Sequence, residues 1–154
     1  MPQLKKILVA YDGSPHSKKA LNWGIELGFL SGAEIVAVKV FEESELYSAT
    51  EAGVASFLAL RDEMRREEHK VMNEVHQRLM DEVAAVGWDR GVRVMGEVLQ
   101  GNVAKEIISY AAQNKVDLII AGAKGQGVLE DLLVGSVTRN LVSLAHVPVM
   151  VVKD

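Results

Sequence analysis

A glycine-rich segment in the last third of the chain carries the residues best suited to bind phosphate. Gly122 and Gly125 follow a short apolar run, and nine residues separate Gly125 from Gly135. Glycine has no Cβ, so a phosphate could approach the amide N–H groups of this main chain. Gly135 is followed by Ser136, the expected N-cap of a helix whose free N–H groups would attract an anion. The spacing predicts a phosphate site, to which the hydroxyls of Ser136 and Thr138 could add donors.

Other phosphate-binding motifs do not fit this sequence. A P-loop needs Gly-Lys-[Ser/Thr] after a strand, and the chain contains no such tripeptide. A dinucleotide fingerprint would follow the first strand, where Asp12-Gly13-Ser14-Pro15 stands instead. A receiver domain would need an aspartate where Leu99-Gln100-Gly101 ends the third apolar run. The alternative to a phosphate site is a glycine-rich surface loop.

Short β-branched runs alternate with helical patterns and predict the scaffold that positions this segment. Strands are expected at residues 4–10, 33–40, 90–99, 116–121 and 147–152, and helices at 14–31, 55–86, 101–114 and 136–145. Residues 41–53 are expected to form a loop. Alternating strands and helices predict an α/β fold with a five-stranded parallel open sheet, Rossmann-like, with helices on both faces.

The predicted topology brings two parts of the chain to one place. With the strand order 3-2-1-4-5, a crevice opens between strands 1 and 4, and ligands bind at the carboxyl ends of strands where the order reverses. Asp12 follows strand 1, and the glycine-rich segment follows strand 4 at Ala121. We therefore expect Asp12 to face the phosphate site, with a turn or helix-capping role as the alternative.

Composition limits the kinds of partner. The chain has 154 residues, no cysteine and a formal net charge of −4, which gives no general attraction for nucleic acid or an anionic membrane. The apolar run that begins at Ile7 stops before Asp12, too short for a signal peptide or a membrane span. Residues 1–154 are expected to form one cytoplasmic domain.

The sequence resembles the ATP-binding type of the universal stress protein family along its whole length. The match rests on Gly-x2-Gly-x9-Gly-Ser, on the opening ILVAYDGS, on GNVAKEIISYA and on the closing VPVMVVK. The resemblance implies that Asp12 faces the nucleoside and that the main chain of Val40 contacts adenine. The positions that it implies along the ribose and phosphates are Ala121, Gly122, Gly125, Gly135, Ser136, Val137 and Thr138. Two further expected site residues depart from common family choices, Ala10 where proline occurs and Lys124 where histidine or arginine is frequent.

The resemblance also implies a function and partners. It implies ATP, ADP or AMP as ligand, Mg²⁺ with the phosphates, and a homodimer formed through the last strand, from Val147 to Val152. A regulatory module in a stress response is the expected role; a slow ATPase or phosphotransferase and a nucleotide-free dimeric adapter are the alternatives. No catalytic residue is predicted. No metal ligand is predicted either, because His69 and His76 on the long helix do not complete a metal site.

Overall fold

The computed structural model describes residues 3–42, 57–125 and 134–153, with side chains of the long second helix described from residue 65. Of the loop expected at 41–53, residues 43–53 lie outside this part.

The five strands form one parallel sheet in the order β3-β2-β1-β4-β5, which confirms the predicted topology. The strands are β1 Lys6–Ala10, β2 Glu34–Phe41, β3 Val94–Gln100, β4 Leu118–Gly122 and β5 Val149–Val152. Ile7 of β1 lies opposite Ile35 of β2 on one side and Leu118 of β4 on the other. The strand order therefore reverses between β1 and β4, beside the end of β1 at Ala10.

All five strands begin one to four residues later than predicted, two of them for evident local reasons. β3 was expected from residue 90, but Gly91 adopts a left-handed conformation (φ 67°) in the turn before it. β5 was expected from residue 147, but Pro148 has no N–H to donate to the sheet. The carbonyl of Pro148 instead accepts the N–H of Ile119 (3.0 Å), just before β5 starts at Val149.

In the described part of the chain, four helices connect the strands: α1 Pro15–Ser31, α2 Phe57–Trp88, α3 Val103–Gln113 and α4 Ser136–Leu144. The hydroxyl of Ser14 accepts the N–H of Ser17 (3.2 Å) and caps α1, and Pro15 follows at the first helical position, as predicted. Gly32 ends α1 in the left-handed conformation (φ 74°).

Both faces of the sheet are covered, which confirms the predicted layers. The core on one face contains buried residues of α1 and α2, among them Leu21 and Val83, packed on Ile7 and Val9 of β1. The core on the other face contains residues of α3 and α4, packed on strand residues such as Leu8. α1 lies very close to the sheet. A Cβ added to its Gly24 would be only 2.7 Å from Val9 Cγ2. Among the described residues, no helix is long and apolar enough to cross a bilayer.

Candidate functional site

A cavity of about 340 Å³ lies at the carboxyl end of the sheet, where β1 and β4 are neighbours. Its volume is in the range of small-molecule sites, roughly 300–1,000 Å³. All the residues proposed from the sequence line it: Ala10, Asp12, Val40, Ala121, Gly122, Lys124, Gly125, Gly135, Ser136, Val137 and Thr138. Residues that are far apart in the chain are therefore brought to one concave surface.

Sequence reasoning missed six further lining residues: Tyr11, Ser17, Val38, Glu42, Val103 and Ile107. Four of them could have been found from periodicity. Val38 lies two residues before Val40 on β2, and Glu42 lies two residues after it, just beyond the strand. Val103 and Ile107 are one helical turn apart on α3.

One wall of the cavity is apolar. Val38 and Val40 of β2 face it together with Val103 and Ile107 of α3. Val38 and Ile107 are fully buried in the core of that face, and Val40 and Val103 pack against this core while remaining half-buried. These four side chains offer a hydrocarbon surface, which suits a flat aromatic group such as a nucleobase, and the carboxylate of Glu42 lies just beyond Val40 in the chain.

The opposite wall is built from the end of β4 and the N-terminus of α4. The N–H of Gly135 donates to the carbonyl of Ala123 (2.7 Å), and the hydroxyl of Thr138 donates to the carbonyl of Gly122 (2.7 Å). The Thr138 hydroxyl, considered above as a further donor to the phosphate site, donates its proton within the protein instead. These two bonds fix the helix end against the strand end.

Ser136 is not the N-cap that was predicted. Gly135 occupies that position with an extended conformation (φ −68°, ψ 160°), and Ser136 is the first helical residue, with its side chain exposed. Gly135 has no side chain that could accept from the first-turn amides, and the amides of a first turn have no acceptor within the helix. The helix end therefore suits an acceptor supplied by a ligand, such as a phosphate oxygen.

The two glycines after β4 have different roles. A Cβ on Gly122 would lie 2.7 Å from His16 Cβ and 2.8 Å from its carbonyl carbon. Gly122 is therefore required for the close approach of α1. The role predicted from the sequence was different: the absence of a Cβ was expected to leave room for phosphate. A Cβ on the exposed Gly125 would meet Asp12 Oδ2 at 2.8 Å, so the space beside Gly125 belongs to the site.

Asp12 both shapes the turn before α1 and lines the cavity. Its Oδ1 accepts the N–H of Ser14 (2.9 Å), and its own N–H donates to the hydroxyl of Ser17 (3.4 Å), so it shapes the turn before α1. It also lines the cavity, with Oδ2 beside Gly125.

Among the described residues, the charged side chains that line the cavity are Asp12, Glu42 and Lys124, two carboxylates and one ammonium group. Binding of an anion would therefore depend on main-chain amides rather than on an excess of positive side chains.

No group of three or more His, Asp or Glu side chains in the described part of the chain is arranged to hold a metal ion. His76 on α2 packs instead against the neighbouring edge strand, where its Nε2 lies 2.9 Å from the carbonyl oxygen of Gly96 on β3.

A parallel open sheet with a ligand-sized cavity where the strand order reverses defines a doubly wound α/β fold. The model of the universal stress protein family matches residues 3–153, and the chain belongs to this family. Universal stress protein MJ0531 of Methanocaldococcus jannaschii is 31% identical over 149 residues, which cover 97% of this chain and 82% of that protein. A universal stress protein of Thermus aquaticus is 33% identical over 150 residues, covering 97% and 98%.

Solved structures share the fold over nearly the whole chain. Protein MJ0577 of Methanocaldococcus jannaschii superposes with a TM-score of 0.80 at 27% identity, covering 99% of this chain and 98% of that one. A universal stress protein in complex with cAMP has a TM-score of 0.66 at 17% identity, with coverage of 99% and 98%. An Arabidopsis thaliana family member with AMP bound has a TM-score of 0.61 at 18% identity, with coverage of 97% and 91%.

Proposed function

We propose that this protein binds an adenine nucleotide, ATP, ADP or AMP, in the cavity between β1 and β4. The observation that carries the proposal is the placement of the α4 N-terminus, held by the bond from Gly135 N–H to Ala123 O (2.7 Å) so that Ser136 and Val137 line the cavity. Phosphate would bind at these first-turn amides. Two proteins of the same fold, with AMP and with cAMP bound, support an adenine nucleotide as the ligand.

The chemistry of the two walls suggests how the two ends of the nucleotide would be oriented. The adenine would lie against Val40 and its apolar neighbours, the ribose would pass Ala10, Asp12 and Ala121, and the phosphates would lie between Gly125 and Ser136. A triphosphate carries more negative charge than Lys124 can balance. Mg²⁺ would therefore accompany ATP, coordinated mainly by phosphate oxygens, because Mg²⁺ sites commonly combine substrate phosphates with only one or two carboxylates.

We further propose a cytoplasmic, dimeric regulatory protein of the stress response. β5 forms one edge of the sheet, and its residues Val149 and Val151 are only half-buried. On the neighbouring α4, Val142 is 55% and Leu144 is 60% exposed. An apolar edge strand beside exposed apolar side chains favours pairing with a second copy along the segment from Val147 to Val152.

Extraction of the purified protein tests the ligand. Acid extraction followed by ion-exchange chromatography should release an adenine nucleotide, and calorimetric titration of emptied protein should show binding of AMP and of ATP with Mg²⁺. Absence of both, at millimolar ligand, would leave the nucleotide-free adapter as the function.

A matched pair of variants tests the location. Val40→Asp places a carboxylate in the apolar wall and should weaken AMP binding at least about tenfold, because an unpaired charge is costly to desolvate. Val71→Asp makes the same change on α2, at a residue that is 43% exposed and does not line the cavity, and should leave the Kd unchanged. Equal Kd values for the two variants would contradict this location.

A second matched pair of variants tests dimerisation. Leu144→Glu should shift the protein toward a monomer in analytical ultracentrifugation. Met95→Glu, at an exposed apolar residue on the opposite edge strand, should not. A monomeric unmodified protein, or a dimer unaffected by Leu144→Glu, would contradict the proposed interface.

A further inference from the structure

One contact connects the long helix α2 to the strand end that carries Asp12. The hydroxyl of Tyr11 donates a hydrogen bond to a carboxylate oxygen of Glu82. The N–H of Tyr11 donates to the carbonyl of Val38 on β2 (2.9 Å), and the side chain is 5% exposed within the core beneath α1 and α2. Tyr11 is therefore fixed by its main chain, its ring and its hydroxyl group.

Glu82 is in turn shared between two helices. The ammonium group of Lys18 on α1 lies 4.0 Å from its carboxylate, and both side chains are about half exposed. Burial and the hydrogen bond to Glu82 raise the pKa of Tyr11 well above its ordinary value, so the hydroxyl keeps its proton. The end of β1, α1 and α2 thus meet at a single carboxylate.

Asp12 is the next residue after Tyr11. Its Oδ1 is fixed by the N–H of Ser14 (2.9 Å), and its Oδ2 lies in the cavity beside Gly125, where the ribose is proposed to pass. A shift of the Tyr11 main chain moves Asp12 directly, because the two residues share a peptide bond.

We propose that Tyr11 and Glu82 are positioning residues for Asp12, through which α2 sets the affinity of the cavity for its nucleotide. This inference rests on the proposed function. Glu82 does not line the cavity, and Tyr11, which does, would act through the main chain that carries Asp12.

Conservative variants separate positioning from stability. Tyr11→Phe keeps the ring and removes only the hydroxyl group, and Glu82→Ala removes the acceptor. Each should raise the Kd for AMP about fivefold or more, the lower end of typical coupling between sites. Glu82→Gln retains an acceptor oxygen and should restore most of the affinity lost in Glu82→Ala. Glu74→Ala removes an exposed carboxylate from the same helix and should bind like the unmodified protein.

Calorimetry with AMP, together with the Tm of each variant, decides the question. The double variant Tyr11→Phe/Glu82→Ala should bind no more weakly than the weaker single variant, because both changes break the same contact. A lower Tm with an unchanged Kd in both single variants would make the contact purely structural and overturn the inference. If Tyr11→Phe does not fold, Glu82→Ala and Glu82→Gln decide alone. If the unmodified chain binds neither AMP nor ATP, the proposed function fails and this inference fails with it.

Discussion

Two aspartates lie at opposite ends of the central strands, and their surroundings differ. Asp117 precedes β4 at the amino end of the sheet, where its Oδ2 accepts the N–H groups of Lys5 (2.8 Å) and Lys6 (2.9 Å). These main-chain hydrogen bonds lower the pKa of Asp117. The carboxylate joins β1 to β4 and has a structural role.

Asp12 follows β1 at the carboxyl end of the sheet. One of its oxygens accepts the main-chain N–H of Ser14, and the other lies at the cavity beside Gly125. The two residues have the same chemistry and flank the same pair of strands. Their surroundings therefore determine their roles. Asp117 stabilises the fold, whereas Asp12 also borders space that a ligand would fill.

The largest effect is expected at Gly122, where the fold and the site meet. Gly122→Val places atoms against the main chain of His16, within 2.8 Å of its carbonyl carbon, and should destabilise the protein. Overpacking of this kind costs about 1–3 kcal/mol, and loss of nucleotide binding should accompany it. Thermal unfolding and calorimetry measure the two effects. Gly125→Ala is the control, since among the described residues its Cβ meets the carboxylate end of the Asp12 side chain and no main-chain atom. An equal drop in Tm in both variants would contradict the assigned roles.

A smaller effect, on stability alone, is expected at the amino end. Asp117→Ala removes the acceptor of two main-chain donors and should lower the free energy of unfolding by about 1–2 kcal/mol at neutral pH, with the Kd for AMP unchanged. Denaturant unfolding measures the loss.

The pH dependence of that loss follows from the lowered pKa of Asp117. The folded-state pKa is below the unfolded value of about 3.9, so the stabilisation is complete above that value and disappears as the pH falls through the folded-state pKa. The difference between the unmodified protein and Asp117→Asn should therefore be largest near neutral pH and shrink in acid. A difference that grows in acid would contradict this role.

Asp12→Asn should have the opposite profile to Asp117→Ala. The amide keeps an oxygen for the Ser14 N–H, so the Tm should change little. Binding should weaken about tenfold, the usual cost of losing one charge-assisted hydrogen bond. Calorimetry with AMP measures it, and an unchanged Kd would place Asp12 with Asp117 as a structural residue only.

The smallest effect is expected at Lys124, the one ammonium group among the described lining residues. Lys124→Ala should weaken ATP binding by at most about fivefold, more at low salt than at high salt, and leave adenosine binding unchanged. Lys105→Ala on the exposed side of α3 is the matched control. An equal loss for adenosine and ATP would mean that Lys124 does not face the phosphates.

The parallel sheet could be predicted because it follows from local pattern, and the place of the cavity followed once the strand order 3-2-1-4-5 was assumed. Alternating β-branched runs and helices determine a parallel sheet, and strand order places the ends of β1 and β4 together. The role of Gly122 could not be predicted, because the approach of His16 depends on how α1 packs. The contact between Tyr11 and Glu82 could not be predicted either, because the two residues are 71 positions apart in the chain and no sequence pattern pairs them.

Amide chemical shifts test the central claim most directly. Titration of AMP into isotope-labelled protein should shift the amide signals of Gly125, Ser136 and Val137 by the largest amounts, with the signals of Lys5 and Lys6 nearly unchanged. Saturating AMP that leaves the three cavity amides unmoved, or that moves the amino end of the sheet instead, would contradict the nucleotide site.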